Sequence, residues 1–142
     1  MLSTIHLTMV VWLWFTVAVT PNTPQDKSTS PDQNPCARAN TQLEINECSA
    51  DQYRKADARL NSLYAKIAAD LQKDQDKTAL DKLRATERAW IQYRDLHCDA
   101  ARNQFAGGSI SPTIWAGCMK MVTEHRIEEL QAAYLVDGQP RK

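Results

Sequence analysis

Apolar residues in this chain return every three or four positions along most of the stretch from 53 to 133. Tyr53, Ala56, Leu60, Leu63, Ile67 and Leu71 form one series, and Leu80, Leu83, Trp90, Ile91, Cys98, Ala101 and Phe105 a second. Ile114, Cys118, Val122, His125 and Ala133 form a third. That spacing is the period of a helix with one face toward a core, and no segment alternates as a strand would. Thr41 with Glu44, and Ser49 with Gln52, have the spacing of capping boxes. They predict a short helical turn over 41–48 and a separate long helix over 50–73. Lys73 to Thr78 reads as a polar connector. Gly107 or Gly108 can take the left-handed conformation that ends the second helix, while Ser111 is placed to cap the third and Pro112 to take its first position. The expected fold is all-α, an up-down-up antiparallel three-helix bundle with a short extra N-terminal helical turn.

The cysteines test that topology. Cys98 lies before the turn at Gly107-Gly108-Ser109-Ile110-Ser111-Pro112 and Cys118 after it. At about 1.5 Å of rise per residue, Cys98 falls roughly 12 Å below Ala106 and Cys118 roughly 10 Å beyond Ser111. The two sulfurs therefore meet at one level of an antiparallel hairpin, as a disulfide requires. Pairing Cys98 with Cys118 leaves Cys36 with Cys48. A bond from Cys48 to Cys98 or Cys118 is the alternative, because the start of the first helix lies beside the end of the second. An even count of four cysteines, paired in this way, implies an oxidising compartment, periplasmic or extracellular.

The amino terminus agrees with export. Leu7 to Val19 is a nearly continuous apolar run, and no acidic or basic side chain precedes Asp26 apart from His6. Its length of about 13 residues is short for a membrane span, which needs about 20, and suits a secretory signal. Thr16-Val17-Ala18 offers small residues for cleavage after Ala18, although the usual basic flank is missing and an uncleaved anchor is the competing reading. Residues 19–35 hold Pro21, Pro24, Pro31 and Pro35 among polar residues and lack the apolar content to offset the entropy of ordering. The expected organisation is a signal peptide at 1–18, a disordered tether at 19–35, one helical domain at 36–136 and a flexible tail at 137–142. After cleavage no stable membrane insertion is expected.

Charge and chemistry narrow the function classes. Lys and Arg number 17 against 17 Asp and Glu, so the chain lacks the basic excess that a nucleic-acid or anionic-membrane partner calls for. An enzyme needs a nucleophile, base and orienting group, or a metal set, and none assembles from the pattern. No phosphate-cradling glycine loop is present. Cys98, Cys118 and His125 offer a zinc alternative to the disulfide, but the even cysteine count and export favour the disulfide. No cofactor is expected, and a binding module is the better fit.

Several stretches resemble the bacterial LprI-type lysozyme-inhibitor domain family. They are Thr41-Gln-Leu-Glu-Ile-Asn-Glu-Cys48, Ala56-Asp-Ala-Arg-Leu-Asn-Ser-Leu-Tyr64, and Leu83-Arg-Ala-Thr-Glu-Arg-Ala-Trp-Ile-Gln-Tyr-Arg-Asp-Leu-His-Cys98. Gly107-Gly-Ser109, Cys118, and Thr123 with Arg126 and Leu130 complete the match, which covers nearly the whole domain. Glu87 departs from the family pattern, which commonly carries Gln there. The resemblance implies an exported helical domain, a protein partner with lysozyme as the named one, and inhibition by binding rather than by chemistry. The rival class is a cell-envelope structural or adaptor module that binds another protein or peptide.

Within these stretches Trp90 and Tyr64 are expected in the core, since large aromatics dominate small interiors. Glu87 and Arg94 share the inward stripe of Leu83, Trp90 and Cys98. A buried charge must find a partner, so the expectation is an internal network with Arg126 or Asn61. The competing reading has Arg94 hold a ligand carboxylate. Asn46 and Asn61 are expected in packing or capping roles. Gly107, Gly108, Ser109, Ile110 and Ser111 form the candidate partner-binding turn, braced by the disulfides at one end of the bundle. The plainer alternative is a turn that only caps helices.

Overall fold

The computed structural model describes residues 35–136 and 139–140. The segment expected as a signal peptide, 1–18, and nearly all of the expected tether, 19–35, lie outside the described residues. Three helices carry the domain, α1 (Gln42–Lys73), α2 (Lys77–Asn103) and α3 (Ser111–Tyr134). They run up, down and up, as the periodicity predicts. A two-residue ladder follows, in which β1 (Leu135–Val136) pairs antiparallel with β2 (Gln139–Pro140).

α1 starts where the capping box places it. The Thr41 hydroxyl accepts from the Glu44 amide at 3.2 Å, and the Glu44 carboxylate accepts from the Thr41 and Asn40 amides at 3.0 and 2.8 Å. These amides hold Glu44 below its ordinary carboxyl range. The separate turn over 41–48 does not appear, because α1 runs unbroken for 32 residues. No Gly or Pro interrupts residues 42–73, so nothing offsets the gain of continuing the ladder through Ser49. Asp74 to Asp76 make the connector. Gln75 takes a positive φ of 58°, and the Asp76 carboxylate caps α2 by accepting from the Ala79 amide at 2.9 Å.

Packing is unequal. α3 lies against both other helices, and α1 rests on α3 far more than on α2. One core cluster joins Leu60, Ile67, Leu83 and Leu130, with Tyr64 packed against it. The other joins Cys98, Met119 and Val122 beside Tyr53, Trp115 and Cys118. Trp90 is half-buried and touches both clusters, so it joins the two halves of the interior. α3 departs most from its predicted stripe. Ala116, Met119, Val122, Thr123 and Leu130 are buried while His125 and Ala133 are exposed. A helix wedged between two neighbours buries two faces, which a single stripe does not capture.

Both predicted disulfides are present. Cys98 joins Cys118 across 5.5 Å between Cα atoms, and Cys36 joins Cys48 across 5.8 Å. Cys98 and Cys118 are thereby removed as zinc ligands. No helix among the described residues is long and apolar enough to cross a membrane.

Candidate functional site

The turn between α2 and α3 is a run of tight backbone bonds. Amides of Phe105, Ala106, Gly108 and Ser111 donate to carbonyls of Arg102, Asn103, Phe105 and Gly108 at 2.9 to 3.2 Å. Gly107 sits at φ +79°, where a side chain is strained, and a Cβ at Gly108 would press to 3.3 Å from the Phe105 carbonyl. Two adjacent glycines are what this path needs.

The turn is tied down from α1. Asn46 Nδ2 donates to the Ser109 carbonyl at 3.1 Å, and the Thr113 hydroxyl donates to Asn46 Oδ1. Gln42 Nε2 adds bonds to Asn46 Oδ1 at 2.9 Å and to the Thr113 hydroxyl at 3.1 Å. Cys48, two residues beyond Asn46, carries one disulfide, and Cys98–Cys118 clamps the helices below the turn. Nearby, Arg102 stacks over Trp115, which meets Tyr53 edge to face at 5.6 Å.

Ser111 does not cap α3 as expected. The residue before the helix is Ile110, which provides no side-chain cap. Ser111 instead donates its hydroxyl to the Arg102 carbonyl at 3.4 Å, and its amide is spent on Gly108. Its backbone already belongs to the turn, so its oxygen is aimed back at α2. Gly107, Gly108, Ser109 and Ile110 are exposed. Among the described residues, the amides of Gly107, Ser109 and Ile110 and the Ser109 hydroxyl have no hydrogen-bond partner. The arrangement is a hydrogen-bonded loop presenting unspent donors beside the start of α3, where the helix dipole also favours negative charge.

The inward charges sort into two pairs. Arg126 Nε and Nη2 both donate to Glu87 Oε2, at 3.1 and 3.0 Å. Arg94 reaches Asp57 at 3.3 Å and Asp95 at 2.8 Å, and Asn61 supports Asp57 at 3.0 Å. Both guanidiniums lie over the Trp90 ring, Arg94 at 5.1 Å and Arg126 at 5.8 Å from its centroid. The expected internal network therefore exists, with Asp57 as a member that the helical stripes did not single out. Asp57 is only half-buried and adjoins Ala56 on the edge of its stripe. The Asn46 link to Ser109 was equally invisible, since 63 positions separate the two residues.

Fold and site define a small helical domain, linked by two disulfides, with a turn tied to α1 through Asn46 and bearing open amides at one end. The chain belongs to the LprI lysozyme-inhibitor family, whose profile matches residues 33–130. That family is one of inhibitors, not enzymes, and the disulfides agree with a place outside the cytoplasm. The chain is 35% identical to the uncharacterized protein R02472 of Rhizobium meliloti over 105 residues, 68% of this chain and 76% of that protein. It is 28% identical to the uncharacterized protein YecT of Escherichia coli over 98 residues, 61% of this chain and 60% of that one. No solved structure matches the chain.

Proposed function

We propose that this domain is a periplasmic or secreted inhibitor that blocks lysozyme by one-to-one binding, docking the turn at Gly107 to Ser111 against the enzyme's substrate cleft. Family membership is what supports the activity. The site reading rests on the open amides of Gly107, Ser109 and Ile110 on a loop held by Asn46. A glycosidase cleft is lined by two carboxyl groups that accept hydrogen bonds, and a loop already fixed loses little entropy on docking. The apolar run from Leu7 to Val19 serves in this reading as the export signal.

Titration of lysozyme with the purified, oxidised protein tests it. Inhibition should saturate near one equivalent when the enzyme concentration is well above the dissociation constant. Ser109→Glu should abolish inhibition while leaving the helical signal intact, because an added carboxylate would face the enzyme's own. If Ser109→Glu inhibits as well as the parent, the docking surface lies elsewhere, for instance on the α1 face around Arg54, Lys55 and Arg59. If the parent binds no lysozyme, the adaptor reading takes its place.

A further inference from the structure

α1 and α2 are the loosest helix pair in the bundle, and between them opens a cleft of about 320 Å³. Every residue lining it comes from Ala56 to Tyr64 or Leu83 to Cys98, two of the stretches that carry the family resemblance. The turn proposed for lysozyme uses neither stretch. Arg88 and Gln104 are 16 residues apart, which at the helical rise places the cleft about 24 Å along α2 from the turn.

The charges in the cleft are unequally spent. Glu87 is taken by Arg126, and Asp57 by Arg94. Arg84 has only a 3.4 Å exposed contact with Asp81, which contributes little in water. Arg88 has no hydrogen bond or ion pair among the described residues, and neither has the Tyr64 hydroxyl. Asn61 uses its amide nitrogen on Asp57 and keeps its carbonyl oxygen open. The cleft therefore offers two guanidiniums on α2, a hydroxyl and an amide oxygen on α1, and an apolar wall from Leu60 and Ile91.

A guanidinium fork matches the geometry of a carboxylate. A doubly charged anion would also face Asp57 and Glu87, which line the same cleft, so one negative charge fits better than two. The volume sits at the low end for ligand sites and suits a single ring or a short peptide end. We propose that this cleft is a second binding site, for a small ligand bearing one carboxylate on a hydroxyl- or amide-bearing body, with Arg88 as its anchor. An acidic amino sugar and the C-terminus of a short peptide share that chemistry.

Calorimetric titration of the full chain, with amide chemical shifts to locate the contact, separates them. The probes are N-acetylmuramic acid against N-acetylglucosamine, N-acetyl-alanyl-alanine against its C-terminal amide, and inorganic phosphate. Saturable binding of either carboxylate, shifting Asn61 and Arg88 and absent with its neutral counterpart, is expected, and whichever binds identifies the source. Arg88→Gln should weaken binding by about tenfold or more, with partial recovery in Arg88→Lys. Circular dichroism confirms that these exposed-site variants fold, and lysozyme titration by Arg88→Gln should match the parent. Equal binding of the neutral counterparts, tighter binding of phosphate, an unchanged affinity in Arg88→Gln, or no saturation with either carboxylate overturns the proposal.

Discussion

Arg126→Met strands the Glu87 carboxylate in the interior. Glu87 is 9% exposed, and its Oε2 receives both bonds from Arg126. Removing one partner of a buried pair costs about 3 to 5 kcal/mol, because the other charge stays desolvated. The two side chains keep 13% and 12% of their exposure, so water relieves part of the penalty and about 3 kcal/mol is the better figure. Loss of the cation over Trp90 adds about 0.5 kcal/mol, and loss of the exposed Glu129 contact about 0.3 kcal/mol. The total is about 4 kcal/mol, which for a domain of this size lowers Tm by roughly 15 to 30 °C. Glu87→Leu combined with Arg126→Met removes both charges and should recover most of the loss, to within about 2 kcal/mol of the parent. Urea unfolding of parent, both single variants and the double variant, followed by circular dichroism, gives the coupling energy, expected above about 1.5 kcal/mol. Equal destabilisation by Arg126→Met and the double variant would refute the idea that an unpaired carboxylate is the source of the cost.

Replacing Cys98 and Cys118 by Ala opens a loop closed over a sequence separation of 20, and should cost about 3 kcal/mol, read as a lower urea midpoint. Trp90→Ala should cost about 3 kcal/mol, at the lower end for an aromatic truncation because the ring is only half-buried; a variant that keeps its Tm but loses partner binding would instead make the ring a recognition surface. Asn46→Ala removes the tie to Ser109 and should speed amide exchange at Gly108 and Ser111, the turn positions whose amides are hydrogen-bonded, while exchange in the middle of α1 stays slow; unchanged exchange would mean that the glycine path alone holds the turn. Burial raises the Glu124 carboxyl, yet hydrogen bonds from Lys120 and Arg59 outweigh it and leave the group below its ordinary 4.5. A lowered folded pKa gives stability that is complete above the unfolded value and lost as pH falls through the folded one. Tm should therefore drop on the acid side of 4.5, and Arg59→Ala should flatten that limb.

Helix number, order and direction were legible in the sequence, as was the capping box at Thr41. So was the Cys98–Cys118 bond, because a tight turn and a fixed rise per residue leave only one level at which the two can meet. Tertiary structure decided the rest. A second capping signal at Ser49 was overridden by an uninterrupted α1, and the single stripe read on α3 became two buried faces once that helix lay between its neighbours. Ser111, placed by spacing to cap α3, turned its hydroxyl to the Arg102 carbonyl. Glu87 and Arg94 were both marked as inward charges, but only the rotation of the helices gave Arg126 to the first and Asp57 to the second. The same rotation set Asn46 beneath Ser109 and left α1 and α2 apart around Arg88. Periodicity records which face of a helix avoids water. Which polar groups meet across helices depends on shifts of a few ångströms in register and angle, set by the packing of all three helices together.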